Sequence, residues 1–322
     1  MSRRLLRRVL IEANRLRRLQ RGPLREGWSV EVEASTRLLH HYARRAHWVP
    51  LALQRRAIGA AAPRRRPRGV QLTRVDVNGI PGEWITPEGA DPRRALLYLH
   101  GGGYAVGSIA SHRHYVARIA RSACMRALLI DYRLAPEHPF PAAVEDARVA
   151  WRWLLGQGVD PRRAAIAGES AGGGLTMATL LETRDAGEPL PGAAAVLSPW
   201  VDLTLSGASI DANDRYDFIP RRVLSLYAAR YAQGTDRAHP LLSPVHASLH
   251  GLPPLLIQAG EVETLVDDAR RLHARAREAG VDARLSVYPD MIHAFMIMSF
   301  PIAREAIAEL AAHLRTHTDA GE

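Results

Sequence analysis

A serine lies between two glycines where the sequence changes from a strand pattern to a helix pattern. The segment Gly168-Glu-Ser-Ala-Gly172 follows the β-rich run 164–167 and opens the helical pattern 171–183. Small flanking residues permit the sharp strand-to-helix turn that lifts a serine hydroxyl above a sheet edge. The amino end of the helix favours a developing oxyanion. The spacing predicts Ser170 as a nucleophile, and a glycine turn without a chemical role is the alternative.

A serine nucleophile needs a base, and that base needs an acid to orient it. In hydrolases built on such a turn, the acid and then the histidine follow the serine along the chain. His293 lies between the last β-rich run and the last helical pattern, at a strand end, where active sites of α/β proteins gather. His293 is therefore the predicted base. The acid stays open among four carboxylates that follow the run 255–258: Glu261, Glu263, Asp267 and Asp268.

Three consecutive glycines follow another β-rich run. The segment His100-Gly101-Gly102-Gly103-Tyr104 comes directly after residues 96–99. Without side chains in the way, the glycine N–H groups can approach a substrate oxygen, and with the N–H of Ala171 they predict an oxyanion hole. A dinucleotide-binding loop is disfavoured, because the glycine spacing is wrong and no ribose-binding acid follows about 20 residues later.

Strands and helices in alternation must position these residues. Eight short β-rich runs follow residue 69, and helical patterns separate most of them; the runs are 72–77, 83–85, 96–99, 127–131, 164–167, 194–197, 255–258 and 285–288. The alternation predicts an α/β fold with a mostly parallel eight-stranded sheet and helices on both faces. Asn78-Gly79 predicts an antiparallel hairpin between the first two strands. Residues 203–240 break the alternation and indicate an insertion.

The net charge of +10 comes from one end of the chain. Residues 1–68 carry 18 Arg and 4 Glu, whereas residues 69–322 have a net charge of −4, and the chain contains no lysine. Leucines at steps of three and four predict an amphipathic helix over 3–21, with further helices at about 29–45 and 50–58. This Arg-rich helix leaves open a peripheral membrane contact through residues 3–21. Nucleic acid is disfavoured as a partner, because no aromatic platform lies among the arginines.

Composition excludes several classes of protein. A hydrophobic fraction of 47% excludes intrinsic disorder, and no apolar run approaches the roughly 18 residues of a membrane span. The single cysteine, Cys124, allows neither an intramolecular disulfide nor a thiolate metal cluster. Charges interrupt each early apolar stretch before a secretory signal could form. We therefore expect a cytoplasmic protein, with membrane association left open.

Taken together, the motifs resemble those of the bacterial hormone-sensitive-lipase-like esterases of the α/β-hydrolase superfamily. The resemblance covers about residues 70–316 and rests on four segments in this order: His100–Tyr104, Asp131-Tyr-Arg-Leu-Ala-Pro-Glu-His-Pro-Phe-Pro141, 168–172 and the segment around His293. It implies an α/β-hydrolase fold with a helical cap, in which Ser170 matches the nucleophile and His293 the base. The matching oxyanion donors are Gly102, Gly103 and Ala171, and Gly101 belongs to the same motif.

The resemblance also indicates which of the four carboxylates is the triad acid. Many family members carry an Asp-Pro-Leu-x-Asp segment whose first Asp is the triad acid. The matching segment is Glu263-Thr-Leu-Val-Asp267, so the resemblance implies Glu263 as the acid and Asp267 as the second candidate. Glu169 stands where Asp or Thr is commoner, and we expect this difference to be neutral for the chemistry. Residues 1–68 and the insertion at about 203–240 match a cap over a catalytic domain of residues 69–322.

The resemblance implies a serine carboxylesterase that hydrolyses short- to medium-chain acyl esters through a Ser-His-Glu triad and an acyl-enzyme. The implied partner is a small-molecule ester, with neither a metal nor an organic cofactor, and a homodimer is left open. Lactones and N-acetyl amides are alternative substrates for the same triad. A non-catalytic ligand-binding protein on this fold, as in the plant gibberellin receptors, is the rival from another class; those receptors lack the catalytic histidine that His293 matches.

Overall fold

A computed structural model describes residues 3–46, 48–63, 65–298 and 300–319. In the first helix the side chains are described from Val9 onward. The predicted apolar and basic faces of residues 3–8 therefore lie outside the described side chains.

A single sheet lies at the centre of the fold. Its order is β1-β2-β4-β3-β5-β6-β7-β8; β2 runs antiparallel to β1 and β4, and the remaining neighbours are parallel. The eight strands found in the described residues are β1 Val70–Val77, β2 Ile80–Pro87, β3 Asp91–Leu99, β4 Met125–Ile130, β5 Ala164–Glu169, β6 Ala193–Leu197, β7 Leu255–Gly260 and β8 Ala283–Tyr288. Asn78 and Gly79 have φ of 54° and 91°, as a two-residue hairpin turn requires. The predicted α/β-hydrolase sheet and its opening hairpin are confirmed.

Helices cover both faces of the sheet. The described helices are α1 Arg3–Arg21, α2 Val30–Ala46, α3 Leu51–Ala61, α4 Ile109–Ala123, α5 Ala142–Gly156, α6 Ala171–Asp185, α7 Ser209–Ala212, α8 Arg221–Ala232, α9 Val266–Glu278 and α10 Ile302–Thr318. Alternate residues of a strand point to opposite faces. Accordingly, Leu97 and Leu99 of β3 pack in the core with α5, α6 and α9, whereas Leu96 and Tyr98 pack in the core with α4 and α10.

The N-terminal helices contact the predicted insertion. Residues 203–240 lie between β6 and β7 and contain α7 and α8, and α2 packs against α8. Arg44 of α2 donates to Asp214 at 2.6 Å, and the Tyr227 hydroxyl of α8 donates to Gln54 of α3 at 3.0 Å. In the described part of the chain, no helix combines the length and the apolar character needed to cross a membrane.

Candidate active site

Strand β5 and helix α6 meet at Ser170 in a sharp turn. The φ of Ser170 is 55°, a conformation that residues with a side chain rarely adopt and that costs about 1–3 kcal/mol. Both flanking glycines are required by close packing. A Cβ on Gly168 would lie 2.3 Å from the Gly172 carbonyl oxygen, and a Cβ on Gly172 would lie 2.1 Å from that of Leu99. The backbone has the geometry that was predicted for the turn.

The imidazole of His293 faces the Ser170 hydroxyl. Nε2 of His293 lies 2.9 Å from Oγ of Ser170, within the range over which a base can accept a hydroxyl proton. His293 is buried in the loop that follows β8, in which two residues have a positive φ, 60° at Asp290 and 50° at Ala294. The structure therefore brings together the two residues that were predicted as nucleophile and base.

Glu263 lies on the opposite side of the His293 ring. Its Oε1 is 3.9 Å from Nδ1 of His293, an ion-pair distance that is longer than a hydrogen bond. Its Oε2 accepts from the Ser198 hydroxyl at 2.6 Å and from the Gly260 N–H at 2.8 Å. The other acid candidates have different partners. Asp267 accepts from the Ser209 N–H at 2.8 Å and pairs with Arg270, Glu261 pairs with Arg25, and Asp268 accepts from two N–H groups that follow β6.

Charge around His293 favours its protonated form. Burial lowers the pKa of His293, but the carboxylates of Glu263, Asp217 and Glu169 outweigh this effect and hold the pKa above its usual value. A base must be neutral to accept a proton. Hydrolysis that depends on this base should therefore increase as the pH rises through the raised pKa.

The glycine loop after β3 packs directly against Ser170. A Cβ on Gly101 would lie 3.1 Å from the Cβ of Ser170. Gly102 and Gly103 have φ of 121° and 60°, and a Cβ on Gly102 would lie 2.2 Å from the carbonyl oxygen of Val106. The loop conformation therefore requires glycine at these positions.

Three backbone donors of this region are available to a ligand. Within the described ranges, the N–H groups of Gly102, Gly103 and Ala171 have no hydrogen-bond partner. Gly101, which the sequence motif groups with these donors, differs because its N–H donates to the side chain of Glu169. The glycine loop thus offers two free donors instead of three, and Gly101 holds the loop in place.

The Glu169 side chain supports the loop from below. It is buried and contacts three groups: the Gly101 N–H, the Tyr98 hydroxyl and Nε2 of His112, the last at 2.8 Å. Burial opposes ionisation of Glu169, yet the His112 imidazole and the two hydrogen bonds hold its pKa below the usual value. Burial likewise opposes protonation of His112, yet Glu169 holds the pKa of His112 above the usual value. The side chain of Glu169 is thus in direct contact with the glycine loop, and its neutrality for the chemistry stays a prediction.

Two more side chains link the acid and histidine segments, and neither belongs to a motif. Ser198 donates to Glu263 and its Oγ accepts from the Ala294 N–H at 3.0 Å. Asp217, from the insertion, accepts from the His293 N–H at 3.2 Å. Ser198 follows β6 at the edge where Ser170 follows β5, so its strand-end position was a usable signal. Nothing in the sequence distinguishes Asp217 from the other acids of the insertion.

Aromatic and apolar side chains of the insertion and the N-terminal helices lie both beside the site and at the surface. The Phe218 ring lies edge-on to the His293 ring with 5.9 Å between centroids, and Leu224 is buried. Tyr42 and Trp48 are largely exposed at the surface. Tyr227, which the motifs did not mark, covers Gly103, since a Cβ there would lie 2.3 Å from its ring.

These groups can together perform nucleophilic attack on an acyl carbon. A hydroxyl lies within hydrogen-bond distance of an imidazole, a carboxylate lies beside that imidazole, and backbone donors lie beside the hydroxyl. Within the described residues, no group of three or more His, Cys, Asp or Glu side chains is placed to hold a metal ion.

Comparison with known proteins gives a consistent result. Residues 96–297, more than half of the chain, match the family described as having the alpha/beta hydrolase fold. An acetyl-hydrolase of Streptomyces hygroscopicus is 47% identical, over 77% of this chain and 83% of that protein. Among solved structures, a hormone-sensitive lipase from a metagenome library matches with a TM-score of 0.85 and 38% identity, over 89% of this chain and 98% of that one. An esterase of the bacterial hormone-sensitive lipase family matches with a TM-score of 0.78 and 40% identity, over 99% of this chain and 100% of that one.

Proposed function

The chain belongs to the hormone-sensitive-lipase-like esterases of the alpha/beta hydrolase fold family and is a carboxylic ester hydrolase, and we propose that Ser170, His293 and Glu263 carry out its reaction on short- to medium-chain acyl esters. The observation that supports this assignment is the 2.9 Å contact between the Ser170 hydroxyl and the His293 imidazole, with Glu263 beyond it. The 47% identity to an acetyl-hydrolase favours short acyl groups.

In the proposed reaction, Nε2 of His293 accepts the Ser170 proton while Oγ attacks the ester carbonyl carbon. The carbonyl oxygen becomes an oxyanion and accepts hydrogen bonds from Gly102, Gly103 and Ala171, each worth on the order of 10²–10³ in rate. His293 then gives the proton to the departing alcohol, which leaves an acyl-Ser170. A water molecule, deprotonated by the same imidazole, releases the acid.

Glu263 acts on the imidazolium that forms during the attack. Its Oε1 and the Nδ1 of His293 are both buried without a hydrogen-bond partner in the described structure. When His293 becomes positively charged, the attraction across the 3.9 Å between these atoms increases, because the low dielectric of a buried site strengthens it. Glu263 therefore stabilises the charged intermediate state more than the resting state, as catalysis requires.

Three variants test these roles with p-nitrophenyl acetate, butyrate and octanoate as substrates. Ser170→Ala should abolish turnover above background. Glu263→Ala should lower kcat by on the order of 10⁴, as for a lost triad acid. Asp267→Ala, the matched control in the first turn of α9, should leave kcat within about twofold. A retained rate in Ser170→Ala would refute the mechanism, and loss of activity only in Asp267→Ala would reassign the acid. A panel with lactones and N-acetyl amides then ranks the alternative acyl substrates.

We propose in addition that the N-terminal segment 1–68 and the insertion 203–240 form a cap, and that α1 meets an anionic membrane surface. The contacts of α2 and α3 with the insertion support the cap. Val9, Leu16 and Leu19 lie at i, i+7 and i+10, hence on one side of α1. Leu16 and Leu19 are 63% and 81% exposed on this Arg-rich helix, a pattern typical of helices that bind a membrane interface.

A further inference from the structure

Asp217 is a buried carboxylate that joins the cap insertion to both sides of the site. Its Oδ1 accepts from the His293 N–H at 3.2 Å and from the Phe218 N–H at 2.8 Å. Its Oδ2 accepts from the Thr264 N–H at 2.8 Å and from the Thr264 hydroxyl at 3.1 Å. Thr264 directly follows Glu263 in the sequence. One side chain thus fixes the main chain at the proposed base and next to the proposed acid.

The hydrogen bonds to Asp217 satisfy its two oxygens but do not compensate its negative charge. All four donors are neutral, three backbone N–H groups and one hydroxyl, and an uncharged acceptor would also satisfy them in part. Burial raises the pKa of Asp217, and the His293 imidazole opposes that effect. A carboxylate in such a place costs free energy unless a positive charge compensates it. The nearby group that can supply this charge is His293.

The ring of His293 depends on its main chain for its position. Its Nδ1 donates no hydrogen bond to Glu263 in the described structure, since Nδ1 and Oε1 of Glu263 lie 3.9 Å apart. The contact with Ser170 on the other side is a single bond of 2.9 Å. The hydrogen bond from the His293 N–H to Asp217 therefore contributes to holding the imidazole at the serine.

We propose that Asp217 is a positioning residue for hydrolysis, which tethers the His293 and Glu263 segments and stabilises the His293 imidazolium by its negative charge. The inference rests on the proposed roles of Ser170, His293 and Glu263. During the attack the imidazole gains the proton that Ser170 loses, so that a positive charge appears on the ring. The carboxylates facing this charge come from three segments: Glu263 after β7, Asp217 from the insertion and Glu169 from the end of β5.

Asp217→Asn and Asp217→Ala test both parts of the inference, with Asp214→Asn as the matched control. Asp214 lies in the same insertion and pairs with Arg44 away from the site. For Asp217→Asn we expect a 10- to 100-fold lower kcat on p-nitrophenyl butyrate and a KM within threefold of wild type. The acid limb of kcat/KM should move to lower pH, because loss of a negative charge lowers the pKa of His293. Asp214→Asn should change neither quantity.

A purely structural role would lower the thermal stability without moving the acid limb. The asparagine variant is nearly isosteric, so it keeps the test available if Asp217→Ala fails to fold. An unmoved acid limb in folded Asp217→Asn, or an unchanged kcat, would overturn the inference. Failure of the proposed function is distinguishable, since it would appear as retained hydrolysis in Ser170→Ala. An inactive Ser170→Ala together with a wild-type profile in Asp217→Asn would overturn the role of Asp217 alone.

Discussion

Replacing Glu169 by glutamine removes one buried charge beneath the glycine loop while keeping the shape of the side chain. In the wild type, Oε1 contacts the Gly101 N–H and Nε2 of His112, and Oε2 accepts from the Tyr98 hydroxyl. A glutamine can satisfy the same groups if its carbonyl oxygen replaces Oε1 and its amide donates to the tyrosine oxygen. His112 must then be neutral with its proton on Nε2. The variant therefore isolates the effect of the charge.

The loss of stability follows from the three contacts. A hydrogen bond to a charged group contributes about 1.5–3 kcal/mol and a neutral one about 0.5–1.5 kcal/mol, so three contacts lose about 3–4 kcal/mol together. The variant no longer buries a carboxylate, which offsets part of that loss. We expect the free energy of unfolding at pH 7 to fall by about 1–3 kcal/mol in Glu169→Gln. Since the amide still accepts from Gly101, kcat should fall by far less than the 10²–10³-fold of a lost oxyanion donor.

The pH dependence gives the sharper test. In the wild type the pKa of His112 is raised above about 6.5. The contribution of protonated His112 to the free energy of unfolding is therefore complete below that pH and is lost as the pH rises through the raised value. The pKa of Glu169 is lowered, so its contribution persists above about 4.5 and is lost only in stronger acid. In Glu169→Gln the effect of the carboxylate is lost, and burial, the largest influence on His112, is opposed by the Ser108 carbonyl and Asp131, so we expect a lower pKa for His112 than in the wild type. The variant should therefore lose stability relative to the wild type as the pH falls through the raised pKa of His112.

Urea unfolding at pH 5.5 and pH 8.5 measures this difference. The gap in unfolding free energy between wild type and Glu169→Gln should be larger at pH 5.5, by about 1.4 kcal/mol for each unit that separates the two His112 pKa values. The control is the pair His112→Gln and Glu169→Gln/His112→Gln, which contains no histidine at this position; the change of its gap between the two pH values measures the titration of Glu169 alone and is subtracted from the change found with the wild type. If the difference in unfolding free energy between wild type and Glu169→Gln is equal at both pH values, or larger at pH 8.5, the assignment of a positive charge to His112 is refuted.

Two further changes test the loop and the first helix. Gly103→Ala places a Cβ against the Tyr227 ring at a φ of 60°, so kcat on p-nitrophenyl butyrate should fall on the order of 10²–10³. The control Gly280→Ala, with a φ of 77° and open space around it, should keep the wild-type kcat. Equal activity in the two variants would contradict the loop assignment. Leu16→Ser/Leu19→Ser should weaken sedimentation with phosphatidylglycerol vesicles by about tenfold or more, because each buried Leu contributes roughly 1.5–3 kcal/mol. Unchanged vesicle binding with unchanged kcat on soluble ester would rule out α1 as the membrane contact.

The order and type of the strands and helices could be predicted because their signals are local. The run 164–167 and the pattern 171–183 fall within two residues of the ends of β5 and α6. β2 shows the limit of such prediction, since only 83–85 looked like strand, whereas the structure extends it over Ile80–Pro87. Pro81 and Gly82 are poor strand residues by themselves. Pairing with β1 on one side and β4 on the other holds them in the sheet, and that information comes from distant parts of the sequence.

The site residues also divide into those that local motifs identify and those that depend on contacts between distant parts of the sequence. Ser170 and His293 stand in patterns that a reacting group requires, so their types and positions are visible in the sequence. The groups that set their separation have no such pattern, because Ser198 and Asp217 act only through contacts formed on folding. Since Glu263 lies 3.9 Å from the imidazole, it cannot fix the ring by a hydrogen bond in the resting state. The angle at which the imidazole meets the serine must then depend on the unmarked residues, and substitutions at these should change kcat while the motif residues remain intact.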